Sequence, residues 1–324
     1  MALSAQSVPT GLSWPAGFQS ALSPHGPGAA QIADLSWTLF VGGAVVFLFV
    51  IACLIVAMRG RAQLRARLST RSAIIVCGIA FPAIVLTGLL LYTVLAAASI
   101  KSNAGEARLR IEITGEQWWW RVHYLRSDGS VDFVLANEVR VPVGVPVELL
   151  LKSADVIHSF WVPSLAGKVD MIPGRVNRLH MTAERAGVFR GQCAEYCGGP
   201  HARMALFVIA EEVHRYDSWA ERQRTEAAQP DDGMAQRGRA LFLERCGVCH
   251  AVRGSAADGQ RGPDLTHIAG RVSIGAGTLP NNEGTLAAWI ADSHAAKPGN
   301  LMPRLDIYSG SELLALAAYL MSLE

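Results

Sequence analysis

Charged residues are scarce in this sequence, and two long stretches have none. Asp, Glu, Lys and Arg make up 17% of the 324 residues, and residues 35–58 and 73–98 contain no charged side chain. A helix needs about 20 consecutive apolar residues to cross a bilayer, so each stretch is long enough. Buried helices of soluble proteins are usually shorter and amphipathic. We therefore predict a transmembrane helical hairpin over residues 35–98, in contact with membrane lipid.

The segment between these two stretches lacks acidic residues. Residues 59–71 contain five arginines and no Asp or Glu. Positively charged loops stay on the cytoplasmic side of a membrane, so both termini and the large C-terminal part are expected on the other side. We predict two spans in a bacterial inner membrane, with that part in the periplasm. Pro82 lies within the second span and is expected to kink its helix.

The first 34 residues lack the marks of a signal peptide. They have no basic n-region and no apolar core of the usual length, and they are rich in Gly, Pro, Ser and Ala. We interpret them as an irregular external arm. A cleaved signal peptide is the alternative.

Changes in composition divide the chain into five segments. The net charge of +2 indicates no polyanionic partner, and we expect no nucleic acid to bind. Residues 215–232 are charged, rich in alanine and poor in large apolar side chains except Tyr216 and Trp219, as in a helix end followed by a solvated linker. The predicted order is an arm over residues 1–34, the hairpin over 35–98, a β domain over 105–214, the linker over 215–232 and a helical domain over 233–324.

Alternating apolar residues predict the β domain. Leu109, Ile111 and Ile113 alternate with other residues, and similar short runs recur to the end of this segment. Turn signals such as Asp-Gly at 128–129 and Pro-Gly at 173–174 separate the runs. This spacing favours an antiparallel Greek-key β-sandwich.

A loop near the end of the β domain concentrates soft metal ligands. Residues 191–204 include Cys193, Cys197, His201 and Met204. Thiolate and thioether sulfur beside imidazole favours copper over hard cations, and two thiolates are one more than a single blue-copper ion uses. The set therefore suggests two coppers bridged by sulfur. His158, at the end of a strand-like run, would supply a second imidazole from a rigid element.

The cysteine pair has two other interpretations. An oxidising external compartment would allow a disulfide between Cys193 and Cys197, although a disulfide leaves His201 and Met204 unexplained. Zinc is the second alternative, but structural zinc sites seldom use methionine. Copper fits the whole set better.

The last segment contains the c-type haem attachment sequence, formed by Cys246, Cys249 and His250. Two thiols three positions apart on a helical turn can reach the two vinyl groups of haem, and the adjacent imidazole then faces the iron. A redox Cys-x-x-Cys pair is the alternative. We predict an all-α domain, resembling a class I cytochrome c, over residues 233–324.

Met302 is the preferred distal haem ligand. It lies in a loop and is followed by proline, which is the pattern of class I cytochromes, whereas His267 and His294 are the competing candidates. Axial ligation by His and Met gives a closed, high-potential electron carrier.

These motifs together resemble subunit II of the haem-copper cytochrome c oxidases, of the caa type in which a cytochrome c is fused to the copper domain. The resemblance rests on residues 158–163, 168–175 and 193–204. It implies a multidomain protein with a two-helix transmembrane hairpin, an all-β cupredoxin Greek-key sandwich and an all-α cytochrome c domain. It also implies a binuclear copper centre, CuA, bridged by the thiolates of Cys193 and Cys197, with terminal ligands His158 and His201, weak ligand Met204 and the backbone carbonyl of Glu195.

The resemblance implies further roles in an enzyme complex. The Glu195 carboxylate would also reach a magnesium ion shared with subunit I. Trp118 aligns with the tryptophan through which this family accepts electrons, although some of the tryptophans at 118–120 could instead pack the core or meet the membrane interface. Electrons would pass from an external cytochrome c or similar donor through a covalent haem c and CuA to subunit I, which reduces oxygen. Subunit III is a further expected partner.

One feature departs from the family, and two rival functions are possible. Residues 72–78, at the cytoplasmic end of the second span, contain no acid, whereas the family often has a glutamate there for proton uptake. Proton uptake is then arranged differently, or by subunit I alone. The rivals are a carrier serving a nitrous oxide reductase-like enzyme and a copper-binding assembly protein; Glu195, the two spans and the haem motif favour the oxidase.

Overall fold

The computed structural model describes residues 19–102, 107–305 and 307–324, without the side chains of residues 99–102. It divides into two compact units, Gly28–Gly105 and a larger unit that combines Met1–Pro27 with Glu106–Glu324. Residues 1–18 of the predicted arm, and the predicted start of the β domain at residue 105, lie outside the described residues.

The smaller unit contains two long apolar helices with shorter helical segments between them. Helix α1 (Pro27–Arg59) is followed by the short helices α2 (Ala62–Leu68) and α3 (Arg71–Ile75) and by α4 (Phe81–Ser102). Two segments, Pro27–Arg59 and Arg71–Ala98, are long and apolar enough to cross a membrane, and their most apolar windows are unburied. Exposed apolar side chains on a helix are stable in lipid, where the backbone is satisfied internally. The two-helix part of the fold prediction is confirmed.

Two details of these helices differ from the sequence prediction or refine it. Helix α1 begins at Pro27 rather than at residue 35, because proline is well suited to the first helical position and the charged Asp34 does not interrupt the helix. The disturbance expected at Pro82 takes the form of a π-helical turn over Val76–Ala80. Proline lacks an N–H and its ring collides with the carbonyl four residues earlier, so the turn before it widens.

The β domain is a sandwich of two five-stranded sheets, with strand orders β3-β2-β1-β5-β8 and β4-β10-β9-β6-β7. Burial alternates along β1, as the sequence pattern predicts. Most strand pairs are antiparallel, as expected, but β1 pairs with β5 and β4 pairs with β10 in parallel. Apolar alternation reports which face of a strand is buried but not the direction of its neighbour. The strands are β1 (Leu109–Glu116), β2 (Trp119–Leu125), β3 (Val131–Ala136), β4 (Glu138–Pro142), β5 (Val147–Ser153), β6 (His158–Trp161), β7 (Val169–Met171), β8 (Asn177–Met181), β9 (Gly187–Cys193) and β10 (Ala205–Glu211).

Most of the predicted linker is a helix packed on the β domain. Helix α5 (Val213–Arg224) buries Tyr216 and Trp219, which lie three positions apart and therefore share one face. The Trp219 ring meets Tyr124 edge-on at a centroid distance of 5.7 Å. The helix end expected before the linker thus extends to Arg224, and only residues 225–232 connect it to the next helix.

The C-terminal part is helical. It contains α6 (Gly233–Arg245), α7 (Glu283–Ala291), α8 (Ser293–Ala296) and α9 (Gly310–Met321), with a small two-stranded sheet of β11 (Ser273–Ile274) and β12 (Leu279–Pro280). Helices α6 and α9 cross closely at Gly238, where an added Cβ would lie only 1.9 Å from the Ala315 carbonyl oxygen. A capping box between Ser309 and Glu312 begins α9.

Candidate copper and haem sites

Four of the predicted side-chain ligands of copper lie on one hairpin. Cys193 ends β9, Met204 directly precedes β10, and Cys197 and His201 lie in the loop between them. The Cys193 N–H donates to the Met204 carbonyl at 2.9 Å and closes the base of the loop. His158 comes from the neighbouring strand β6, whose Phe160 pairs with Cys193.

The side-chain donor atoms of this set converge. The two cysteine sulfurs are 3.8 Å apart, and His158 Nδ1 lies 3.8 Å from the sulfur of Cys193. On the other side, His201 Nδ1 and Met204 Sδ lie 3.5 and 3.8 Å from the sulfur of Cys197. Both cysteines are free thiols. The arrangement is a pair of sulfurs flanked by two imidazoles and a thioether.

Glu195 faces this cluster with its main chain. Its carbonyl oxygen lies 3.2 Å from the sulfur of Cys193. The side chain points elsewhere: it is 46% exposed, and its carboxylate lies 3.9 Å from the Lys168 ammonium group. The same lysine lies 3.7 Å from the carboxylate of Asp170. Glu195 can therefore serve the cluster and a second, more exposed group at once.

Most of the cluster is buried, and His201 is half-buried, so placing a charge on the cluster costs free energy. His158 is fully buried, and Cys193, Cys197 and Met204 are each at most 4% exposed. The hydrogen bond from the Cys197 thiol is the main reason why the pKa of Cys193 falls to about 3, and the same bond raises the pKa of Cys197. Cys193 therefore loses its proton readily, whereas a second thiolate at Cys197 forms only if a positive charge lies beside it. A bound metal ion supplies that charge and deprotonates coordinating thiols.

Asp155 orients His158. Its carboxylate lies 2.8 Å from His158 Nε2, so this nitrogen donates and Nδ1 is left to face the sulfur of Cys193. The other carboxylate oxygen accepts from the Gln117 N–H at 2.7 Å. Opposite the ring lies Gly115, where an added Cβ would lie 2.8 Å from His158 Cδ2. Sequence reasoning missed Asp155; its position three residues before the histidine was the available signal.

A cavity of about 720 Å³ lies between the helical part and the β domain, and residues of both line it. Cys246, Cys249, His250 and Met302 all line it, together with apolar side chains such as Leu316. His250 Nδ1 donates to the Pro263 carbonyl at 2.8 Å, which leaves Nε2 as the atom available to a metal. Two thiols, one free imidazole nitrogen and a thioether on an apolar cavity are the donors that a covalent haem needs.

Further residues shape the cavity. Gly262 lies against the His250 ring, where an added Cβ would come within 2.6 Å of Cε1. His294 Nε2 lies 2.9 Å from the Met302 carbonyl oxygen, and the two ring nitrogens of His267 lie 2.6 and 3.1 Å from the carbonyl oxygens of Glu324 and Thr225. Both competing histidines thus bind the main chain.

Arg271 was missed by sequence reasoning. It lines the cavity and is only 9% exposed, and burial lowers its pKa. One guanidinium nitrogen donates to the Asp264 carbonyl, whereas Nε finds no acceptor among the described residues. A buried cation with an unused donor suits the carboxylate groups that a haem carries.

Trp118 contacts both sites. Its indole Nε1–H donates to the Cys197 carbonyl at 2.9 Å, and the residue also lines the cavity that holds Cys246 and Cys249. Its neighbours have other surroundings: Trp120 is fully buried in the β domain, and Trp119 stacks under the Arg121 guanidinium at 4.7 Å. The three consecutive tryptophans therefore differ in role, and core packing, the alternative interpretation, applies to Trp120.

The fold and the two sites define a membrane-anchored electron-transfer protein. Comparison with known families agrees, since residues 127–211 match the periplasmic domain of cytochrome c oxidase subunit II and residues 235–324 match cytochrome c. The chain belongs to the cytochrome c oxidase subunit 2 family, with a cytochrome c domain at its C-terminal end. It is thereby a component of an oxidoreductase complex.

Individual relatives show how far the similarity extends. Subunit 2 of cytochrome c oxidase from Alkalihalophilus pseudofirmus is 35% identical over 94% of this chain and 91% of its own length. The Bacillus subtilis subunit is 31% identical over 69% of this chain and 65% of its own length. A crystal structure of the periplasmic domain of subunit II (CoxB) from Bradyrhizobium japonicum, 34% identical, covers 37% of this chain and 96% of its own, with a TM-score of 0.35.

Proposed function

We propose that this subunit carries electrons from an external donor, through a covalent haem c and a binuclear copper centre, to subunit I of the oxidase. One observation supports this route more than any other: Trp118 lies on the wall of the haem cavity and donates to the carbonyl of Cys197. Both sites would be held by one chain, so transfer between them needs no encounter between separate proteins.

The copper centre would be held by Cys193 and Cys197 as bridging thiolates. His158 and His201 are the terminal ligands, Met204 is a weak ligand and the Glu195 carbonyl completes the set. Bound copper supplies one-electron redox chemistry. The protein surrounds the site with buried strands and leaves no open position for a substrate, which suits electron transfer rather than bond making.

The haem would be attached through Cys246 and Cys249, with His250 and Met302 as axial ligands. The hydrogen bond from His250 Nδ1 to the Pro263 carbonyl fixes the ring orientation. Asn300 plays a similar part for the distal loop, because its Oδ1 accepts from the Met302 N–H at 2.9 Å. The ring of His250 and the main chain of Met302 are thus held by neighbours within the domain.

The exposed carboxylate of Glu195 would bind a magnesium ion shared with subunit I. Carboxylate oxygen is a preferred magnesium ligand, and the nearby Asp170 and Lys168 make this surface polar and charged. In the same assembly subunit III is a further partner, lipid surrounds the two spans, and both termini lie on the periplasmic side. The arginine-rich segment between the spans supports this orientation.

Metal analysis and spectroscopy of the purified full chain test this proposal. We expect two coppers and one haem per chain, an electron paramagnetic resonance (EPR) spectrum of one unpaired electron shared by both coppers, and a low-spin haem spectrum. Shared thiolate ligands are the physical reason for the shared electron. A single copper, or a chain that binds zinc but no copper, would contradict the copper assignment. Absence of a thioether-linked haem would contradict the haem assignment.

A further inference from the structure

A buried lysine links the helical part to the β domain. Lys297 follows helix α8 and is only 3% exposed. Its ammonium group donates to the Trp118 carbonyl at 2.6 Å and to the Gly275 carbonyl at 3.1 Å. The side chain thus joins two main-chain segments that belong to different parts of the larger unit.

Burying this cation is unfavourable unless hydrogen bonds compensate for its lost hydration. Removing an ammonium group from water costs free energy, and here burial lowers the pKa of Lys297 to about 7. Lys152 and Lys168, by comparison, have side chains that are 39% and 51% exposed and lie near carboxylates. Lys297 instead has two carbonyl acceptors, which compensate for part of the lost hydration.

The segment that Lys297 holds contains the residue between the two cofactor sites. Trp118 is fixed at two points: its carbonyl by Lys297, and its indole Nε1–H by the carbonyl of Cys197. The indole also lies against Gly198, where an added Cβ would be 2.9 Å from Trp118 Cζ2. Little free space remains on this side of the ring.

The second acceptor, Gly275, belongs to a loop that lies on the β domain. In this loop the Val272 N–H donates to the Glu138 carboxylate at 3.0 Å, and the Ala276 carbonyl accepts from the Ala205 N–H at 3.0 Å. The Arg140 guanidinium donates to the Gly270 carbonyl at 2.9 Å. Because these bonds hold the loop without Lys297, the lysine is not the only contact that keeps the two parts together.

We propose that Lys297 is a positioning residue for electron transfer between the haem and the copper centre. It fixes the main chain of Trp118, so that the indole keeps its contact with the Cys197 carbonyl and its place on the wall of the haem cavity. This inference rests on the proposed function. Lys297 also lines the haem cavity, so its proposed role concerns the position of Trp118, and cofactor binding is measured separately.

The test is a double-mutant cycle on the purified full chain with both cofactors bound. The haem is reduced with a flash-activated reductant, and its reoxidation is followed together with the copper absorption. We expect Lys297→Met to slow haem-to-copper transfer by about tenfold, since ångström-scale misplacement of a reacting group can cost ~100-fold. In a Trp118→Phe background, Lys297→Met should have little further effect on the rate. The effects of two substitutions that act through one contact are not additive.

Hydrogen exchange gives a readout that is independent of electron transfer. Peptides covering residues 115–120 should exchange faster in Lys297→Met, whereas those covering α5 should not change. Lys152→Met, which removes a lysine paired with Glu112 on the β domain, is the matched control and should leave both the rate and the exchange unchanged. Copper EPR, the haem spectrum and both reduction potentials are recorded for every variant. The difference between the two potentials is the driving force of the transfer, so the rates can be compared at known driving force.

Three results would overturn the inference. One is an unchanged transfer rate in Lys297→Met, and the second is an equal slowing with and without Trp118, which would indicate a general loosening. If Lys297→Met fails to bind both cofactors, Lys297→Gln is used in its place, because the glutamine side chain is too short to reach the Trp118 carbonyl. An unchanged transfer rate in Lys297→Gln is the third result that would overturn the inference. Failure of the proposed function would be seen separately, in the spectra of the unmodified chain.

Discussion

Cys193→Ser is expected to abolish the signal of the copper pair and leave the haem unchanged. The sulfur of Cys193 lies 3.8 Å from that of Cys197 and 3.8 Å from His158 Nδ1, so no other side chain can take over its bridging position. Serine oxygen is a harder and much less acidic donor, which copper prefers less. We expect copper to fall from two per chain to at most one, with complete loss of the shared-electron EPR spectrum.

Cys53→Ser is the control for this variant. Cys53 lies in helix α1, away from the cluster in sequence and in a different compact unit, and should not affect either signal. A Cys193→Ser chain that still showed one electron shared by two coppers would contradict the bridging assignment. Parallel loss of the haem spectrum would show that the variant had unfolded.

Met302→Leu is expected to change the haem spectrum and potential and to leave the copper signal unchanged. Leucine keeps the apolar volume but offers no donor atom, so the high-potential His and Met ligation would be lost. We expect the haem potential to fall on the order of 0.1 V, a fraction of the roughly 0.8 V that axial ligands can cover. Electron delivery from a high-potential donor would then stop, while the copper EPR spectrum stays intact.

Met234→Leu provides the comparison. Met234 is 51% exposed near the start of α6 and should leave the potential and spectrum unchanged. An unaltered haem spectrum in Met302→Leu would exclude Met302 as a ligand. His294 would then be re-examined, since its side chain already contacts the Met302 main chain at 2.9 Å.

The sequence allowed the domain order and the donor atoms to be predicted because these have local signatures. The residues of the haem attachment sequence, and the four candidate ligand side chains on residues 193–204, are close together along the chain, and the hairpin depends only on composition. Even His158 could be proposed, because an incomplete ligand set on a loop calls for a residue from a rigid strand.

The remaining features depend on contacts that leave no local pattern. Lys297 lies 179 positions from Trp118, and its acceptor is a main-chain carbonyl, which any residue could offer. The same holds for Arg271, whose neighbour is the Asp264 carbonyl, and for the parallel pairing of β1 with β5. Helix α5 was predicted only as a helix end before a solvated linker, because just two of its side chains, Tyr216 and Trp219, are large and apolar enough to anchor it.

The most direct test of the whole account is the kinetics of electron transfer within the isolated full chain. After rapid reduction of the haem, its reoxidation and the reduction of copper should proceed at one common rate that does not change when the protein is diluted. Transfer within one chain is first order, because both sites are carried together. A rate that rises in proportion to protein concentration would mean that electrons pass between separate molecules, and it would contradict the route through Trp118.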